Sequence, residues 1–154
     1  MTRVALDTNI LAYLAGVSRV PADDAKVAAT RDLIARLGTR ASLIAPTQTL
    51  GELFVVLRRS GASDAEAREV MLEFADAFGT AASETRTALA AADLVVDHKL
   101  QFWDSLIVNA AAEAGCSLLL SEDMQHGFVV RGLTIVDPFA EQPHPKLAVL
   151  DAAT

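Results

Sequence analysis

Short, wholly apolar runs alternate with longer amphipathic ones along this chain, and most changes of pattern fall at a glycine, a proline or a polar cluster. The first run, Val4, Ala5 and Leu6, is cut off by Asp7, Thr8 and Asn9, which predicts a strand whose end carries polar groups. "ILAYLAG" follows as a short helix stopped by Gly16. Val27, Leu33, Ile34 and Leu37 share one face of a helix over about residues 23–37, with Gly38 in the stop position. "ASLIAP" is a second short strand, ended by Pro46. A helix from near Thr47 to Gly61 comes next, then one capped by Ser63 and stopped by Gly79. Another helix spans about residues 83–96, and a further one carries "FWDSLIVNAAAEAG". "CSLLLSED" holds a buried strand, residues 117–120, and "LTIVDP" holds the last. The segment 141–154, with Pro143 and Pro145, shows no periodicity and is read as a tail to a single domain of residues 1–140.

Strands that are apolar on both faces and alternate with helices predict a parallel sheet covered on both sides, an α/β architecture. In such sheets the functional crevice lies beyond the carboxyl ends of the strands. Asp7 and Asp123 fall at two of those ends.

Composition narrows this picture. The chain has 154 residues, 52% of them hydrophobic, yet every apolar run stops short of the ~18 residues of a membrane span. The opening "MTRVALDTN" lacks the long apolar core of a secretory signal, so a cytoplasmic protein is expected, without a membrane partner. The single cysteine, Cys116, reads as a small buried hydrophobe. The net charge of −7, from 20 acidic and 13 basic residues, is the wrong sign for broad capture of nucleic acid. A polyanionic substrate would need a local basic surface or bound cations. Glu66, Glu69 and Glu73 mark solvated helical faces.

Asp104 stands directly after the only tryptophan. At helical spacing it shares a face with Ile107, Val108 and Ala111, while Ser105, Asn109 and Glu113 line what reads as the wet side. Moving an ionised carboxylate out of water costs several kcal/mol unless something pairs with it. Each notable acid also has a local explanation. Asp7 suits a turn or helix N-cap, and Asp104 suits a first helical turn. Glu52 completes a capping box with Thr49, or lies within the first two turns of a helix begun at Pro46 and Thr47, with Gln48 one turn before it. Glu122 and Asp123 follow Ser121, itself a good N-cap.

In a doubly wound sheet, however, two strand ends and two helix starts can converge on one rim and bring Asp7, Glu52, Asp104 and Asp123 together. Their mutual repulsion would be relieved by a divalent cation, and all-oxygen ligands suit Mg²⁺ or Mn²⁺. Asp93 and Asp97 are read as solvated. His98, His126 and His144 show no metal spacing, and no glycine-rich phosphate loop is present.

The segments "ALDTNILAYL", "TQTLGELFVVL", "LQFWDSLIVNAAAEAGCSLLLSEDM" and "GLTIVDPF" together resemble the PIN-domain ribonucleases, and within them the VapC-type toxins of bacterial toxin–antitoxin systems. The resemblance runs through about Pro138. It implies a three-layer α/β/α sandwich on a parallel sheet, Mg²⁺ or Mn²⁺ at an acidic cluster, and endonucleolytic hydrolysis of RNA by a metal-activated water. By matching motif it carries Asp7, Glu52, Asp104 and Asp123 over as the acidic set, with Thr8, Asn9 and Ser121 in support. Asp123 is favoured over its neighbour Glu122, which stays an alternative ligand, because the family's aspartate sits two residues past a Ser or Thr. Arg58, Arg59, Lys99 and Arg131 are candidates to guide an RNA backbone. The resemblance also implies a homodimer and a cognate antitoxin partner.

Three other readings stand beside this one. A receiver-like phosphoacceptor would need paired acids after the first strand and a lysine after the last, and neither is present. The other two are a non-catalytic PIN-like binding module and a structure-specific DNA nuclease, though no helical arch for threading a flap is evident.

Overall fold

The computed structural model describes residues 1–152. In chain order the elements are β1 (Thr2–Leu6), α1 (Thr8–Leu14), α2 (Asp23–Leu37), β2 (Ala41–Pro46), α3 (Thr47–Arg59), α4 (Asp64–Ala77), β3 (Gly79–Ala81), α5 (Thr85–His98), α6 (Phe102–Glu113), β4 (Leu118–Leu120), β5 (Val129–Val130), β6 (Leu133–Val136) and α7 (Pro145–Ala152). The strands form one sheet in the order β3-β2-β1-β4-β6-β5. All neighbours are parallel except β5, which runs antiparallel along β6 at the edge.

The alternation of side chains along each strand divides the core in two. Val4 and Leu6 of β1, Leu43 of β2 and Leu120 of β4 enter a cluster with Leu11 of α1, Leu37 of α2 and Leu53 of α3. Ala5, Ile44, Leu119 and Ile135 point the other way and pack on Ile107, Val108 and Ala111 of α6 and Leu94 of α5. The result is helices on both faces of a mostly parallel sheet, the α/β/α sandwich expected.

The element boundaries follow local chemistry. The Ser63 hydroxyl accepts from the Glu66 N–H while the Glu66 carboxylate accepts from the Ser63 N–H, a complete capping box at the start of α4. No such box forms at α3, which starts at Thr47 after Pro46; the Thr49 hydroxyl donates to the Pro46 carbonyl and Glu52 is left free for other partners.

Three elements were not legible in the pattern. Gly79 does not merely stop α4: it opens β3, opposite Ile44 of β2. Val129–Val130 is a two-residue strand. Within the segment after residue 140, α7 starts with Pro145 in the first turn, where a missing N–H costs nothing, and buries Leu147 in the core.

The chain leaves β1 for β2 on one side and later returns to place β4 on the other. Adjacent crossovers therefore diverge beyond the carboxyl ends of β1 and β4, opening a crevice there. The Asp7 N–H donates to the Leu120 carbonyl at 3.0 Å and ties the two strand ends together.

Candidate active site

Asp7 sits at this switch point, between the end of β1 and the start of α1, and only 6% of it is exposed. One carboxylate oxygen accepts from the Thr8 N–H at 2.8 Å, so Asp7 is the N-cap of α1. The other accepts from the Ser121 hydroxyl at 2.7 Å, just past β4. Burial pushes its pKa from the ordinary 3.8 up to about 6, against the opposing pull of the Ser121 and Thr8 hydrogen bonds, with the charges of Asp104 and Asp123 adding to the rise.

Three further carboxylates line the same cleft, a hollow of about 300 Å³ that also includes Thr8, Asn9 and Arg59. Glu52 is presented by α3; one oxygen takes the Thr8 hydroxyl and the other the Gln48 amide at 3.0 Å, one helical turn earlier. Asp104 lies in the first turn of α6, and its N–H is capped by the Gln101 side chain at 2.9 Å. Its carboxyl is raised by burial, then by the charges of Glu52 and Asp123. Asp123, in the loop after β4, accepts from the Asn9 amide. Burial and the neighbouring Glu122 charge raise it, with Lys26 pulling the other way.

Asp7, Glu52, Asp104 and Asp123 thus come from four separate elements and meet in one hollow. Among the described residues no three acids, histidines or cysteines close into a ready-made metal cage. The donor set nevertheless fits a hard divalent cation. It is all oxygen, three of its members are held above their usual pKa by burial and by neighbouring carboxylates, and the only basic side chain lining the hollow is Arg59. A cation would reverse each of those shifts.

Glu122 points elsewhere. It accepts from the Tyr13 hydroxyl and pairs with Lys26 at 2.8 Å, lining a separate small hollow beside α1. Asn9 reaches Asp123 closely and Glu122 only at 3.5 Å, so it spans the pair. The sequence reading missed Lys26 and Tyr13. They lie 96 and 109 residues from Glu122, and only a lone lysine on the otherwise acidic first turns of α2 could have flagged the contact.

Of the four basic candidates, only Arg59 lines the cleft. Arg58 donates to the Ala62 carbonyl and pairs with Asp64, bracing the α3–α4 turn. Lys99 is the exposed left-handed cap of α5. Arg131 sits in the turn before β6, at the opposite end of the strands from the cleft, and donates to Asn109 at 2.8 Å. Asp93 and Asp97 lie on the exposed side of α5. His98 and His126 are exposed; His126 accepts from the Asp137 N–H. His144 is half-buried and caps the first turn of α7.

The expectation of a wet side on α6 holds for Glu113, which is exposed, and is overturned for its other two residues. Ser105 and Asn109 are fully buried, because α6 packs between the sheet and α5. Their polar groups are satisfied internally. Ser105 donates to the Gln101 carbonyl, and the Asn109 amide donates to Glu113 and to the Thr87 carbonyl of α5. Asp104 is the half-buried member, at the helix end that meets the cleft.

The Ser121 hydroxyl is a direct lever on Asp7. Ser121→Ala removes a bond that favours the charged carboxylate, so the Asp7 pKa should climb further above 6. Carbon-13 titration of the side-chain carboxyl measures this; an unchanged or lower value would contradict the hydrogen bond.

The sequence matches the PIN domain family over residues 4–127, and the chain belongs to that family. Nothing matches it among curated proteins. Among solved structures it resembles the Mycobacterium tuberculosis toxin VapC20, described as cleaving the sarcin–ricin loop, with a TM-score of 0.61 and 18% identity over 78% of this chain and 91% of that one. It is also similar to a chain of a Klebsiella pneumoniae toxin–antitoxin complex, with a TM-score of 0.64 and 15% identity over 88% of this chain and 98% of that one. At these identities the likeness is one of fold.

Proposed function

We propose that this chain is a divalent-cation-dependent endoribonuclease and the toxin member of a toxin–antitoxin pair. The observation that carries the reading is the convergence of Asp7, Glu52, Asp104 and Asp123 in one cleft at the switch point of the sheet. Family membership supports it, as do the two structural relatives, one described as a toxin that cleaves the sarcin–ricin loop and the other part of a toxin–antitoxin complex.

In this reading Asp7, Asp104 and Asp123 hold Mg²⁺ or Mn²⁺, with Glu52 completing the set. When bound, the cation supplies Lewis acidity: it offsets charge on the phosphate and makes water a better nucleophile. The protein's own groups fix the geometry. Ser121 and the Thr8 N–H lock both oxygens of Asp7, Asn9 aims Asp123, and Thr8 with Gln48 holds Glu52. Arg59 gives the incoming phosphate a positive contact in an otherwise acidic hollow. The antitoxin and a homodimer belong to the same reading, with the outer face of α4, where Leu72 is exposed, as a surface for them. Among the described residues no helix is long and apolar enough to cross a membrane, in keeping with action on RNA in the cytoplasm.

The test is incubation of the purified protein with a mixed RNA pool. Internal cleavage is expected with Mg²⁺ or Mn²⁺ and should vanish with chelator. Cleavage that persists in chelator, or none with either cation, would overturn the reading.

A further inference from the structure

Beside the acidic cleft runs a wider groove of about 570 Å³, lined by Thr47, Gln48, Val55, Ser83 and Trp103, with Glu52 at its inner end. Glu52 and Val55 line both hollows, so the groove opens directly from the carboxylates. Trp103 is the second residue of α6, and the helix turn that sets Asp104 in the cleft sets the indole at its lip. The residue is 54% exposed. Phe102 meets it edge-on, with centroids 5.0 Å apart and planes at 83°. Leaving the largest apolar side chain half in water forfeits burial that folding would otherwise gain.

We propose that this groove holds an unpaired nucleobase next to the phosphate being cleaved, stacked on Trp103 and read at its edge by Gln48, Thr47 and Ser83. The inference rests on the ribonuclease reading and deepens it. The lining suits a flat, neutral, hydrogen-bonding ring: it offers an aromatic surface, an amide and two hydroxyls. It has no basic side chain, and its one charge is Glu52, so it does not suit a phosphate. Gly51, itself exposed, also lines the groove, and a Cβ built there meets no atom within 4 Å, so the groove has room at that point. A base in this position has to be splayed away from a duplex, so the substrate is single-stranded RNA or a loop, cut beside the bound base.

Trp103 is the only tryptophan and therefore reports on its own occupancy. The probe is a short single-stranded oligonucleotide with uncharged methylphosphonate linkages, which cannot be cleaved and needs no cation. The base-bearing probe should quench indole fluorescence saturably, while an abasic version should not. Gly51→Leu, which puts a side chain into the groove while improving helix propensity, should abolish the quenching. In cleavage assays Trp103→Ala and Gly51→Leu should raise KM about tenfold with kcat little changed and should broaden the cut pattern, while Trp103→Phe keeps most of both. Absent quenching, equal quenching by the abasic probe, or unchanged KM and cut sites in both variants would overturn the proposal. Quenching by a protein that cuts no RNA would leave the base site standing and bring down the ribonuclease reading. Cleavage unaffected by Trp103→Ala and Gly51→Leu would do the reverse. If Gly51→Leu instead releases a co-purifying protein while RNA kinetics stay the same, the groove is a protein-docking site and not a base site.

Discussion

Asp7→Asn and Asp104→Asn are each expected to lower cation-dependent RNA cleavage by roughly a thousandfold or more, because members of a catalytic unit fail together rather than in proportion. Both substitutions keep side-chain shape and remove one negative charge from the cleft. For the same reason the double variant should lose little beyond either single one. Glu122→Gln supplies the contrast. Glu122 is also an acid on the β4 loop, adjacent in sequence to Asp123, but its carboxylate is engaged by Tyr13 and Lys26 in a different hollow. Its loss should cost only a few-fold, through a less firmly held loop. Initial rates at saturating Mg²⁺ separate the cases. If Glu122→Gln is as damaging as Asp7→Asn, the cluster extends to Glu122 and the assignment of the site changes. If Asp7→Asn retains near-normal activity, the cleft is not the place of reaction.

That Asp123 faces the cleft and Glu122 does not could not be decided by spacing, since both follow Ser121 and both are acids. The choice is made by Asn9 on one side and by Tyr13 and Lys26 on the other, contacts spanning most of the chain. The strands that carry the site were readable because β1, β2, β4 and β6 are largely buried on both faces and so are written as short, mostly apolar runs, with Ser42 and Thr134 as interruptions. The edge strands β3 and β5 have three and two residues, too few for any period. Asn109 misled for another reason. A polar residue at helical spacing is read as facing water, yet α5 supplies the Thr87 carbonyl and the β5–β6 turn supplies Arg131. Polarity marked a satisfied internal contact. The four acids could be picked out one at a time, each with a local explanation, and three of those explanations are true: Asp7 is an N-cap, Asp104 does sit in a first turn, and Glu52 lies within the first two turns of a helix begun at Thr47. Capping and convergence are therefore not alternatives at this site, because the helix starts that need anions are the ones aimed at the crevice.

Stability should report that convergence independently of any RNA. In the cation-free protein Asp7 has a pKa of about 6, against an ordinary 3.8, so between those values the folded state holds a proton that the unfolded chain has released. Stability then falls as pH rises from about 4 to about 6, and the gap corresponds to roughly 3 kcal/mol. Asp104 and Asp123 shift in the same direction and steepen the fall. Asp7→Asn cannot ionise, and its amide oxygen can still accept the Thr8 N–H while its NH₂ turns toward the Ser121 oxygen. Without cation at pH 7 it should be more stable than wild type by roughly 1–3 kcal/mol, with a flatter profile between pH 4 and 6. A carboxylate serving only as a helix cap predicts no gain: asparagine caps about as well as aspartate, and losing the charge at the helix N-terminus should cost roughly 0.3–1 kcal/mol. Mg²⁺ should then close the gap or reverse it. A hundredfold excess over Kd stabilises a protein that binds it by about 2.7 kcal/mol, a gain open to wild type and largely closed to Asp7→Asn. Urea melts in chelator and in Mg²⁺, across pH 4 to 7, measure both signs. A variant that is less stable than wild type in chelator, together with equal Mg²⁺ shifts for the two proteins, would reduce Asp7 to the cap of α1 and leave the cleft without a cation.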